Sequence, residues 1–157
     1  MQTLQIDKKN ARTLYPKASP EFKQMLIDSF GQEFFSQKAI DRIKTFEDAC
    51  EDQGIDRYNI LPYKIPASEF EEAINGFAQM CIIAKSLNGD WVADLSNTSQ
   101  YKYFPYFKRS GSGSALSYGD YVGWSAVTGC GVRLSYRDSE TAEYAGKQFL
   151  SIYNKFI

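Results

Sequence analysis

The chain has 157 residues, 43% of them apolar and 24% charged, which is enough to bury a core within one domain and too apolar for wholesale disorder. Its net charge is −1, so it lacks the basic surplus expected of a protein that holds duplex nucleic acid. It contains no histidine, which excludes Ser-His-Asp triads, Cys-His pairs and imidazole metal ligands.

The first 90 residues read as helical. Asp7 precedes a short helical pattern through Ala11 and Leu14. Ser19, Pro20 and Glu21 together mark a helix start, with a serine cap, a proline in the first turn and an acid favoured by the dipole. Phe22, Met25, Leu26 and Phe30 recur at helical spacing, and Gly31 can end that helix. A second helix is expected over about 36–53, with Ile40, Ile43, Phe46 and Cys50 as its stripe and Gly54 as its stop. Glu47, Asp48, Glu51 and Asp52 then read as a solvated helix face, since neither the calcium-loop pattern nor a glycosidase-like carboxylate pair fits them. After a proline-rich connector at 60–66, a third helix is expected over about 67–88. Phe70, Ile74, Phe77, Cys81, Ala84 and Leu87 form its inward stripe, and Gly89 terminates it.

From Trp91 the period shortens toward 2. Segments 91–95, 101–107, 115–118, 121–127 and 132–136 read as strands, with a flexible Gly-Ser loop at 110–114 and a tight turn at Gly119-Asp120. Short connections imply an antiparallel meander of three to five strands. The last helix is capped by Asp138 or Ser139 and carries Ala142, Ala145, Phe149, Ile152 and Phe156 as the stripe that packs on the sheet. The fold class is therefore α+β in one domain over 1–157, helical to about 89, with sheet and final helix over about 90–157.

Cys50, Cys81 and Cys130 match no zinc pattern and read as reduced thiols, and no basic, apolar leader opens the chain, so a cytoplasmic protein is expected. No metal, no cofactor and no catalytic residue is expected, and no apolar run is long enough to span a membrane. The one unusual feature is aromatic. Ten rings fall between 91 and 136, and those at 101–107 point to both faces of a strand. The expected binding surface comprises Tyr101, Lys102, Tyr103, Tyr106, Lys108 and Arg109, with Trp124 and Arg133. A two-sided aromatic core is the competing reading.

Lys102-Tyr-Phe-Pro-Tyr-Phe107, the Gly-Ser loop, Val132-Arg-Leu-Ser-Tyr136 and Ser139-Glu-Thr-Ala-Glu-Tyr-Ala-Gly-Lys-Gln-Phe149 resemble small proteins of gut Bacteroidetes and their prophages, a family without assigned activity. Ile6-Asp7, Ala11, Leu14-Tyr15 and Phe30-Gly31 resemble the front end of the same group. The resemblance covers about half of the chain, and it implies a bacterial or phage setting but no chemistry. The expected function is a non-enzymatic binding or accessory protein of a phage or mobile element, with a protein as the partner class. A virion or assembly component, a single-strand nucleic-acid binder and a carboxylate- or tyrosine-based enzyme are the alternatives.

Overall fold

The structure is a computed structural model, and it describes residues 5–109, 116–124 and 132–157, with the side chains of Arg109, Leu116 and Trp124 outside the described set. The described elements are α+β. In chain order they are α1 (Lys8–Leu14), α2 (Pro20–Phe30), α3 (Gln32–Ser36), α4 (Ala39–Arg42), α5 (Phe46–Gln53), α6 (Glu69–Asn88), β1 (Lys102–Arg109), β2 (Leu116–Trp124), α7 (Ser139–Gln148) and α8 (Leu150–Tyr153).

Local chemistry sets most helix boundaries. The Asp7, Ser19, Ser68 and Asp138 side chains accept from the first-turn amides of α1, α2, α6 and α7. Gly54 closes α5 in the left-handed conformation (φ 64°), and Gly89 follows α6 at φ 61°. The single helix expected over 36–53 is instead two, α4 and α5, and Ser36 ends α3. Lys38 and Ile43 adopt extended ψ, and Thr45 opens α5 with a capping box in which Thr45 and Asp48 satisfy each other's backbone amides. The final helix likewise breaks at Phe149, whose backbone (φ −108°, ψ 22°) ends α7 before α8.

The sheet is smaller than the expected meander. Among the described residues it has two antiparallel strands, β1 and β2, paired from Lys102↔Trp124 to Arg109↔Leu116. Residues 91–95 lie outside any strand, and Val132–Leu134 form a 3₁₀ turn, leaving only Tyr136 to bridge to Tyr103. Gly119-Asp120 is not a hairpin turn. Both residues lie inside β2, where a register shift falls opposite Tyr106 and Phe107 and leaves Gly119 as the extra residue. A side chain at Gly119 would meet the Lys108 stem at 2.8 Å.

The core gathers around α6. Met80, Ile83, Ala84 and Leu87 pack with Ile43, Phe46 and Cys50 on one side, and with Tyr136, Ala142, Ala145, Phe149 and Tyr153 on the other. Gly76 lets α6 approach the C-terminal turn, since a Cβ there would lie 3.0 Å from Lys155 and 3.2 Å from the Phe156 ring. Gly146 does the same for α7 against the hairpin: its Cβ would collide with the Tyr118 ring and stand 2.8 Å from Pro105. Gly146→Ala is therefore expected to lower unfolding free energy by about 1–3 kcal/mol in urea titrations, against alanine's helix advantage of about 1 kcal/mol. A stability gain would show that the hairpin does not sit this closely on α7.

A buried ionic brace ties the helical part together. Asp52 Oδ1 accepts from Arg12 Nη1 at 3.0 Å and from Arg42 Nη1 by a still shorter bond, while Oδ2 accepts from Ser86 Oγ and, at 3.0 Å, from Gln53 Nε2. Asp52 is thus buried, not part of a solvated acidic face. Asp48 serves the α5 cap, and Glu51 pairs with Lys8.

Candidate functional site

The β1–β2 hairpin places the expected binding residues on three different surfaces. On the face toward α7 and α8, Phe107 packs on Tyr153 with ring centroids 4.8 Å apart. Tyr103 lies on the same face, half-buried, because Gly123 opposite it has no side chain: a Cβ there would be 3.1 Å from the Tyr103 ring. Tyr101 and Tyr121 flank Tyr103 at centroid distances of 6.3 and 5.8 Å, and both are exposed at 56% and 38%. Tyr118 is held by burial, and next by the charge of Glu143, with its phenol pushed up to about 12.

The opposite face of β1 presents Tyr106, 49% exposed, and the exposed Lys108. Lys102 does not join them as a surface cation. It is 0% exposed, and its Nζ donates to the Asn97 carbonyl at 3.0 Å. Arg109 and Trp124 contribute backbone to the strands, while their side chains lie outside the described residues, as does all of Cys130. Arg133 is exposed but lies elsewhere, lining a separate cavity of about 330 Å³ with Trp91, Asn88 and Cys81. Burial raises the Cys81 thiol while the charge of Arg133 opposes it, and burial likewise raises Cys50, so neither thiol is activated as a nucleophile. Among the described side chains, Tyr101, Lys102, Tyr103, Tyr106 and Lys108 thus form no single platform with Arg133.

A different surface emerges beside β1. Tyr103 donates its amide to the Tyr136 carbonyl at 3.0 Å and accepts from the Tyr136 amide at 2.8 Å, so both backbone groups point away from β2. Strand alternation aims the Pro105 carbonyl and the Phe107 amide and carbonyl the same way. Among the described residues no strand covers them, because the chain at Val132–Leu134 forms a 3₁₀ turn. This open edge borders an apolar groove of about 410 Å³, lined by Phe77, Pro105, Phe107, Tyr153, Phe156 and Ile157 among others. Phe77 and Phe156 meet edge-to-face at 5.7 Å on its wall.

The groove continues a stripe that sequence periodicity assigned to the core. Phe70, Ile74 and Phe77 are 72%, 46% and 39% exposed, whereas the α6 face that is buried runs through Asn75, Gly76, Met80, Ile83 and Leu87. Helix α6 is apolar on more than one side, and contacts with α5 and α8 select which side is covered. The stripe was visible in the sequence, but its exposure was not.

Among the described residues no group of three or more Cys, Asp or Glu is placed to hold a metal ion, and no helix is long and apolar enough to cross a membrane. Comparison with family models, with curated proteins and with solved structures finds no match for the chain.

Proposed function

We propose that this chain is a non-enzymatic binding protein that takes an extended, apolar segment of a partner polypeptide into the groove beside β1. The observation carrying this reading is an edge at Pro105 and Phe107 that no described strand covers, beside an apolar channel of about 410 Å³. A strand added there gains main-chain hydrogen bonds from the edge and buries alternate side chains against Phe77, Tyr153 and Phe156. The exposed stripe of Phe70 and Ile74 extends the contact beyond the groove. Pro105 removes one donor from the edge, which limits indiscriminate pairing and leaves the groove to choose the partner.

This reading keeps the binding role expected from the aromatic surplus but moves the working surface from the basic face of the hairpin to its free edge. A single-strand nucleic-acid platform is less well supported, because Lys102 is enclosed and, among the described side chains of β1, Lys108 is left as the exposed cation. A phage or mobile-element setting rests on the sequence resemblance alone.

The test is selection of random peptides against the full chain, followed by titration of a selected peptide into wild type and the Phe77→Asp variant. Affinity is expected to fall at least tenfold in the variant, and the Phe107 amide is expected to gain hydrogen-exchange protection on binding. Peptides that bind equally well to Phe77→Asp, without protecting Phe107, would show that the groove is not the binding surface. Concentration-dependent dimerisation that Phe77→Asp abolishes would instead put a second copy in the groove, as an assembly component requires.

A further inference from the structure

The brace around Asp52 carries more positive charge than its carboxylate can neutralise, and it borders an open cavity of about 250 Å³ remote from the β1 groove in its lining residues. Both Asp52 oxygens are already occupied, by Arg12 and Arg42 on one and by Ser86 and Gln53 on the other. A guanidinium has five N–H donors. Among the described residues Arg12 and Arg42 each spend one of them in a hydrogen bond to the protein. Their side chains are 23% and 15% exposed, so the remaining donors are few steps from solvent yet held in a partly dry setting. Arg12 is further fixed by stacking on Phe34, its guanidinium carbon 3.8 Å from the ring centre.

Two lysines complete the cavity. Lys85 Nζ donates to the Gly89 carbonyl at 2.7 Å and Lys9 Nζ to the Gln53 carbonyl at 3.3 Å, so both amines are bound by neutral oxygens that leave their charge in place. Asp90 lines the same cavity and opposes them, which leaves four cationic against two acidic side chains. Burial, and next the charge of Arg42, lower the Arg12 pKa, as expected where cations outnumber their counter-charges.

We propose that this cavity binds a phosphate dianion, either free or as a small phosphomonoester, with Arg12 and Arg42 presenting their unspent N–H groups to it and Lys9 and Lys85 closing on it from the rim. Two fixed planar forks suit a tetrahedral dianion, and its two charges match the local surplus, whereas a monocarboxylate leaves one cation uncompensated. The site is independent of the β1 groove, so the two readings succeed or fail separately.

Full-length protein titrated with sodium phosphate at pH 7.5, and in parallel with glycerol phosphate, tests this by amide chemical shifts at ionic strength held constant with sodium chloride. Saturable shifts at Arg12, Arg42 and Lys85 are expected. Lys9→Gln and Lys85→Gln, which leave the Asp52 brace intact, are each expected to weaken binding at least fivefold. Tighter binding of glycerol phosphate assigns the site to a phosphomonoester, and equal or weaker binding assigns it to the free ion; either supports the proposal. It is overturned if the shifts rise without saturating, if chloride alone reproduces them, or if both lysine variants bind as wild type does.

Discussion

Asp52→Ala is expected to lower the unfolding free energy by about 3–5 kcal/mol, the loss associated with removing one partner from a buried charge cluster. Asp52 is the shared acceptor of Arg12, Arg42, Ser86 and Gln53. Without it, two half-buried guanidiniums from α1 and α4 face each other with their common counter-charge gone. The Ser86 hydroxyl, fully buried in α6, also loses its acceptor. The cost thus comes chiefly from what is left behind, not from the bonds removed. Urea unfolding followed by far-UV circular dichroism measures it. Replacing the whole cluster, with Arg12→Met, Arg42→Met and Asp52→Leu together, is expected to recover most of the loss, because an apolar trio of similar volume has no stranded charge. A single Asp52→Ala variant within about 1 kcal/mol of wild type would show that solvent already screens the two arginines.

The second large effect is alkaline. Tyr136 and Tyr153 are 0% and 2% exposed, and their hydroxyls share a hydrogen bond of 2.9 Å in the core. Burial, and next the neighbouring phenol, hold Tyr136 protonated well above the ordinary tyrosine range, and burial raises Tyr153 in the same direction. In the unfolded chain both ionise near pH ~10. Their contribution is therefore present in full below that pH and is lost as pH rises, because the unfolded state releases protons that the folded state retains. Each tyrosine imposes a slope of about 1.4 kcal/mol per pH unit, so the pair imposes about 2.7 kcal/mol per unit between pH ~10 and the folded pKa values. Stability measured in urea from pH 7 to 11.5 is expected to be flat at first and then to fall steeply. Tyr153→Phe is expected to cost about 1 kcal/mol at pH 7 and to reduce the alkaline slope by about 1.4 kcal/mol per pH unit. An unchanged slope in that variant would mean that Tyr153 ionises in the folded protein as easily as in the unfolded one.

Some of this architecture was legible in the residue order. The starts of α1, α2, α6 and α7 follow from Asp7, Ser19, Ser68 and Asp138, since a side chain that accepts from an amide two or three residues on acts without help from the rest of the chain. The β1–β2 pairing follows from aromatic, short-period segments. What failed did so for identifiable reasons. Segment 132–136 has strand-like composition, but Asn88 of α6 accepts from the Arg137 amide and donates to the Ser135 carbonyl, so this stretch is fastened to a helix instead of a sheet. The turn expected at Gly119-Asp120 became a bulge because both residues lie within β2, which pairs with β1, and Gly119 clears the Lys108 stem there.

The candidate sites were less legible still. Arg12, Arg42 and Asp52 stand on three separate helices, and charge patterns report neighbours only within a helical turn. The groove needs the C-terminal residues Phe156 and Ile157 beside Phe77 and Phe107, a meeting of three distant segments.

Composition alone removed imidazole chemistry, and local capping alone placed most helix starts. Those properties act over one to four residues and do not depend on partners. Which face of α6 is buried, whether Lys102 is a surface cation, and where a backbone edge stays open were decided by tertiary packing. A helix apolar on several sides admits several rotations, and only the competition of α5, α7, α8 and the 132–134 turn for the same surface chose one, leaving Phe70, Ile74 and Phe77 uncovered.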